Sequence, residues 1–207
     1  TMRTNLRALA RALEPHSQPA PVALPRERAK PPYSDPEIAA YLACAQAQST
    51  ISRRMHGGAL ICLGAGSGLM GSELRHVRGS DVIERCGGVV VAVGGSRARA
   101  VPVLGRFHEP LLGAAAFAGE GYLLGGRDPL RKNLTCQITA LFCDEALPRL
   151  DTGRLRSTWL AAAAQLIGLH AFMAAAGVRC SQRLGDIAAC LPDPGEREMV
   201  RLLGGTP

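Results

Sequence analysis

Apolar residues recur with helical period along most of this chain, and the exceptions define its organisation. In residues 2–14, Leu6, Leu9 and Leu13 fall on one side and Arg3, Arg7 and Arg11 on another, which predicts a short basic amphipathic helix. Prolines at 15, 19, 21, 25, 31 and 32 follow. Fixed φ and missing amide hydrogens at that density predict a stiff extended connector over 15–32. Tyr33-Ser34-Asp35-Pro36-Glu37 then carries the start signals of a helix: Ser34 as N-cap, Pro36 in the first turn and Glu37 at the capping-box position. A compact domain is therefore expected over 33–207, behind a helix in 1–14 that is the remnant of an upstream region and a linker in 15–32. Within the domain, the period predicts helices over 36–48, 53–64 and 71–77, and then over 110–118, 133–147, 155–167, 170–176, 182–191 and 196–203. Residues 89–93 and 98–103 are apolar or alternating and flank Gly94-Gly95-Ser96, which predicts a hairpin and confines the sheet to 88–103. The fold class is mainly α with a small antiparallel β-sheet.

Composition narrows the function classes. With 207 residues, 47% of them hydrophobic, the chain can bury one core. The net charge of +7 is almost wholly arginine, since Lys30 and Lys132 are the only lysines. GC-rich coding also enriches arginine, yet the basic balance favours polyanions over acidic partners. Seven cysteines are scattered with no Cys-x-x-Cys pair, and His56, His76, His108 and His170 lack ligand spacing. The cysteines read as reduced, mostly buried small apolar residues and the histidines as surface or hydrogen-bonded groups, so neither a metal nor a cofactor is expected. No apolar run reaches membrane-spanning length and no signal-peptide core is visible, so the expected location is the cytoplasm, with the nucleoid, and not a membrane.

Gly68-Leu69-Met70-Gly71-Ser72-Glu73-Leu74, running on to Ser80-Asp81-Val82, resembles the first arginine box of the tyrosine recombinase (phage integrase) family, Gly-Leu-Arg-x-x-Glu-Leu followed by Asp-Ile or Asp-Val. Met70 stands at the arginine. The hairpin, ending in Arg99-Ala100-Val101-Pro102-Val103, resembles the β2–β3 element with its Arg-x-Val-Pro-Leu close, and Gly94 stands at the catalytic lysine. Gly153-Arg154-Leu155-Arg156-Ser157-Thr158-Trp159 resembles His-x-Leu-Arg-His-Thr-Phe, with Arg156 on the second arginine and Gly153 on the histidine. Ala176-Gly177-Val178 aligns with Leu-Gly-His, so Val178 replaces a second histidine, and the tyrosine nucleophile falls near Ile187. The resemblance spans most of 33–191 and leaves Arg156 alone of six catalytic positions. What it implies is a DNA-binding scaffold without phosphoryl-transfer chemistry: a thioether gives no charged fork to a phosphate, a guanidinium does not release a proton near neutral pH, and no tyrosine follows Tyr122. Double-stranded DNA is the implied partner, contacted at its backbone by Arg156, Arg97 and Arg99 first, then Arg75, Arg78 and Arg154. Arg53, Arg54, Arg127, Arg131, Arg179 and Arg183 could share that surface or be ordinary solvated residues. An active recombinase is a second implied partner, with self-association through the helix over 196–203.

Other readings compete. Residues 59–68, Ala-Leu-Ile-Cys-Leu-Gly-Ala-Gly-Ser-Gly, resemble motif I of class I methyltransferases, and Gly66, Gly68 and Gly71 satisfy the dinucleotide pattern Gly-x-Gly-x-x-Gly. Either would make the chain a nucleotide-binding enzyme, and either requires strands alternating with helices. A protein-interaction module and a decaying pseudo-enzyme are the remaining alternatives. Trp159 is expected as a core anchor, and Glu73 and Asp81 as holders of turns and arginines.

Overall fold

The computed structural model describes residues 2–13, 30–125, 133–142, 147–178, 184–188 and 190–192. Helix α1 (Met2–Leu13) precedes the domain and exposes Leu6, Leu9 and Leu13. The residues just before the domain are held against it: Lys30 pairs with Asp151 at 2.7 Å, and the Pro31 and Pro32 carbonyls accept from Arg154. Residues 15–29 of the expected linker and the expected helix over 196–203 lie outside the described residues.

Helix α2 (Asp35–Gln46) begins as its sequence predicts. Ser34 Oγ accepts from the Glu37 amide at 3.4 Å, and Glu37 Oε2 accepts from the Ser34 amide at 2.7 Å. Ser34→Ala is expected to cost about 1 kcal/mol in urea unfolding, the usual value of a lost N-cap. Helix α3 (Ile51–Ile61), capped by Thr50, runs without interruption into a buried π-helical turn, Cys62–Gly66. No strand occupies 59–66, and the sheet is antiparallel. This overturns the methyltransferase and dinucleotide readings, because both require a parallel strand feeding the glycine turn.

After the short helix α4 (Gly71–Leu74) comes a three-stranded sheet in the order β1 (Val82–Arg85), β2 (Gly88–Val93), β3 (Arg99–Pro102). Val91 pairs with Val82 on one side and Val101 on the other. The sheet is thus larger than the expected 88–103 hairpin. The missed strand β1 is an edge strand with Ile83, Glu84 and Arg85 exposed, so it shows no apolar alternation. Cys86 (φ 53) and Gly87 (φ 76) join β1 to β2 as a two-residue loop with both residues left-handed. Strand β2 turns Val89, Val91 and Val93 inward.

Helices α5 (His108–Ala118), α6 (Leu134–Thr139), α7 (Thr152–Leu166), α8 (Leu169–Ala176) and α9 (Leu184–Ala188) complete the described elements. Within the helix expected over 133–147, α6 tightens after Thr139 to a 3-10 turn, Ala140–Phe142, and residues 143–146 lie outside the described residues. The core gathers Tyr41, Leu60, Leu63, Phe107, Leu111 and Trp159, all at most 2% exposed. Tyr33, Tyr41 and Phe142 form an edge-on ladder with centroids 5.2 and 6.0 Å apart. Cysteines depart from expectation: of the five described, only Cys62 is buried, while Cys86 and Cys136 are exposed. Burial pushes the Cys62 thiol up to about 12, which keeps it protonated and unreactive.

Candidate nucleic-acid interface

The glycines of the first box serve close packing. A Cβ on Gly64 would meet Leu155 at 2.7 Å, one on Gly66 would meet Phe107 at 2.9 Å, and one on Gly68 would meet the Trp159 ring at 2.3 Å. The contacts with Leu155 and Trp159 draw α7 onto the turn that precedes α4, and the contact with Phe107 draws the start of α5 onto it. Glu73 Oε2 then accepts from the Met70 amide at 2.8 Å and fixes the entry of α4. Between α4 and the β2–β3 turn lies an open cleft of about 710 Å³, whose walls include Met70, Glu73, His76, Gly94 and Arg97.

The segments that resemble the recombinase boxes converge beside this cleft. Arg97, exposed on the β2–β3 turn, places Nη1 3.4 Å from Met70 Sδ. Arg99 on β3 makes a bidentate pair with Glu73, at 2.6 and 3.1 Å, and its Nε donates to the Ala175 carbonyl at 2.8 Å. Arg156 on α7 donates through Nη1 to the Gly68 carbonyl and through Nη2 to the Ala176 carbonyl at 2.8 Å. Burial alone would raise the Glu73 carboxyl, but its bonds from Arg99 and the Met70 amide, with the charges of Arg99 and Arg156, hold it below the usual range.

The other positions sort by environment. Gly94 is exposed, with nothing within 4 Å of where a Cβ would stand. Gly153 is exposed in the first turn of α7, whose N-cap Asp151 accepts from the Gly153 and Arg154 amides at 2.8 and 3.1 Å. Val178 is half-buried just past α8, and Ile187 is buried on α9. Arg154 faces the chain entering the domain: it donates to the Pro31 and Pro32 carbonyls, pairs with Glu37 at 3.3 Å and stacks 3.8 Å above the Tyr33 ring. That set of partners fastens the domain entrance. Arg78 is likewise engaged, with the Glu120 carbonyl at 2.9 Å and the Tyr122 hydroxyl at 3.1 Å, on a separate depression with His56 and Phe117. Arg75 is half-exposed, and its side chain makes no hydrogen bond or ion pair among the described residues. Arg127, Arg131, Arg179 and Arg183 lie outside them. Asp151 was missed as a site-shaping residue, although Asp-Thr-Gly before an apolar period is a capping signal. Trp159 is buried and stacks on Phe172 at 6.5 Å, as expected of a core anchor, and Asp81 accepts from the Arg78 amide at 2.8 Å to hold its turn. Among the described residues no cluster of three or more histidine, cysteine or acidic side chains could hold a metal ion, and no helix is long and apolar enough to cross a membrane.

No protein-family model matches the sequence, and no curated protein is detectably similar to it. Solved structures are similar in shape. The XerH site-specific recombinase bound to its difH substrate before cleavage superposes with a TM-score of 0.65 at 14% identity, over 99% of this chain and 63% of that one. The XerA recombinase gives 0.59 at 17% identity, over 99% of this chain and 75% of that one. The Tn1549 transposon integrase in complex with circular intermediate DNA gives 0.58 at 14% identity, over 88% and 67%. The chain thus spans 63% of the XerH chain, and 53% of the one in its post-cleavage complex. Helices around a three-stranded antiparallel sheet, with the first box and the hairpin lining the cleft and Arg156 bonded to the Gly68 carbonyl behind it, make this the fold of the tyrosine recombinase catalytic domain.

Proposed function

We propose that this chain binds double-stranded DNA on its cleft face and leaves the phosphodiester intact. The argument that carries it is chemical: by the resemblance of the box segments, the family's catalytic positions correspond to Met70, Gly94, Gly153, Val178 and Ile187. None of these side chains has a labile proton or a nucleophilic oxygen, so neither leaving-group protonation nor a covalent phosphotyrosine has a donor. Positive charge is retained at the mouth. Arg97 is exposed there, and among the described residues neither it nor the Arg75 side chain, on the neighbouring helix end, has a carboxylate partner. The similar XerH and Tn1549 structures were solved with DNA, which supports the choice of polyanion. The role that follows is accessory or regulatory, beside an active recombinase or at a promoter in the nucleoid.

Titration of labelled duplex at several salt concentrations tests this. Affinity is expected to fall steeply with salt, and Arg97→Ala to weaken binding about threefold to tenfold while lowering the log–log salt slope by about 0.9, the value of one phosphate contact. A suicide duplex should trap no covalent adduct. A trapped adduct, or salt-insensitive binding, ends the proposal.

One observation favours protein contact as a second reading: Leu166, Ile167 and Leu169, at the α7–α8 corner, are 71%, 37% and 62% exposed. Self-association that is indifferent to salt and abolished by Leu166→Asp would favour an interaction module over a DNA binder.

A further inference from the structure

The carboxyl-terminal end of α8 is closed in an unusual way. A helix leaves its last four carbonyls without intrahelical partners. Here Gly177 turns left-handed (φ 64), and the amides of Gly177 and Val178 return to the carbonyls of Ala174 and Met173, at 3.3 and 3.1 Å. The next two carbonyls are taken by side chains from elsewhere: Ala175 by Arg99 Nε and Ala176 by Arg156 Nη2, each at 2.8 Å. A Cβ on Gly177 would meet the Arg99 guanidinium carbon at 3.3 Å, so the glycine also makes room for that group. Two cations at a helix carboxyl end are favoured by its dipole, and the Glu73 carboxylate lies against them.

We infer that Arg99 and Arg156 are positioning residues that fasten α8 to β3 and to the glycine turn, and that the cleft presents its phosphate-facing charge through Arg97. Donor bookkeeping supports this. Arg99 makes four hydrogen bonds, to Ala175 O, Arg97 O and both Glu73 oxygens, out of five N–H groups, and its side chain is 9% exposed. Arg156 spends Nη1 on Gly68 O and Nη2 on Ala176 O. Seating a phosphate on either group requires breaking bonds that hold three elements together. Among the described residues, the Arg97 side chain gives up only a contact to a thioether sulfur, a weak acceptor. With methionine at position 70, the charge of Glu73 is met from β3, and the pocket satisfies its own polar groups.

The DNA half of this inference rests on the proposed function; the positioning half does not. Arg156→Met, Arg156→Lys and Arg97→Ala are compared in the full chain by thermal unfolding and by the salt slope of duplex binding. Positioning predicts that both Arg156 variants lose about 5 °C in Tm, because lysine keeps the charge but not the two-pronged geometry. It also predicts that Arg156→Met leaves the salt slope unchanged, whereas Arg97→Ala keeps Tm and lowers the slope by about 0.9. A wild-type Tm for Arg156→Lys overturns the inference, and so does a lowered slope in Arg156→Met. If Arg156→Met does not fold, the lysine variant still decides. If the wild-type chain binds no duplex, the proposed function fails while the Tm comparison continues to judge the clamp.

Discussion

Gly68→Ala is expected to lower the unfolding free energy by about 3 kcal/mol, among the largest losses from a single added carbon in this chain. Two independent costs combine. Gly68 has φ 62, where an L-residue pays about 1–2 kcal/mol against its own carbonyl. The added Cβ would also stand 2.3 Å from Trp159 Cε3 and 2.6 Å from Cδ2. Trp159 is 2% exposed and stacked on Phe172, so the ring cannot step aside, and overpacking of this kind costs about 1–3 kcal/mol. Any backbone shift that relieves the clash moves the Gly68 carbonyl away from Arg156. Urea unfolding should show a lower midpoint at unchanged m, the signature of lost stability in an intact fold. Gly71→Ala is the control, since nothing lies within 4 Å of its Cβ position and its φ is not left-handed. A Gly68→Ala midpoint equal to that of Gly71→Ala would show that the turn is looser than its geometry states.

The same glycine shows what a sequence can and cannot convey. Gly-Leu-x-x-x-Glu-Leu, the hairpin and Leu-Arg-x-Thr were legible because their types and order are fixed by local needs: a left-handed turn, a capping carboxylate, a β-ribbon with a glycine tip. Helix α2 was legible from Ser34 and Glu37 for the same reason. Strand β1 was not, since its sequence Val-Ile-Glu-Arg has no period of its own and its pairing partner Val91 supplies the order. Nor was the π-helical turn over 62–66, where close approach of Leu155 and Phe107, distant in sequence, replaces the strand that Leu-Gly-Ala-Gly-Ser-Gly resembles. The arginines were hardest. The resemblance marked Arg97 and Arg99, and after them Arg154, as phosphate partners. Only tertiary placement separates a guanidinium stacked on Tyr33 at the domain entrance, one locked to Glu73, and one open at the cleft. Charge is written in the sequence, but what neutralises it is set by the fold.

Glu73→Gln tests that neutralisation, and its expected cost is about 3 kcal/mol, the loss that follows when one partner of a buried ion pair is removed and the other stays. The pair is well suited to such a loss: the two side chains are 9% and 10% exposed, and the carboxylate takes both Arg99 nitrogens and the Met70 amide. Glutamine has the right shape but turns one acceptor into a donor, which then faces an N–H of Arg99 or of Met70. The sign of the pH dependence follows. The folded carboxyl titrates below its ordinary 4.5, so its contribution is fully present above that value and disappears as pH falls through the depressed folded value. Glu37 and Asp151 are lowered as well and erode the wild-type stability over a similar acid range. The informative quantity is therefore the difference between wild type and Glu73→Gln, measured by urea unfolding from about pH 7 down to about pH 3. That difference should hold steady above about pH 5 and shrink toward the acid end, because the protonated wild-type residue and glutamine are then equally uncharged. A difference that stays constant to the lowest pH would mean that Glu73 acts by shape and capping alone, and that the guanidinium pair beside it is held by carbonyls without need of its charge.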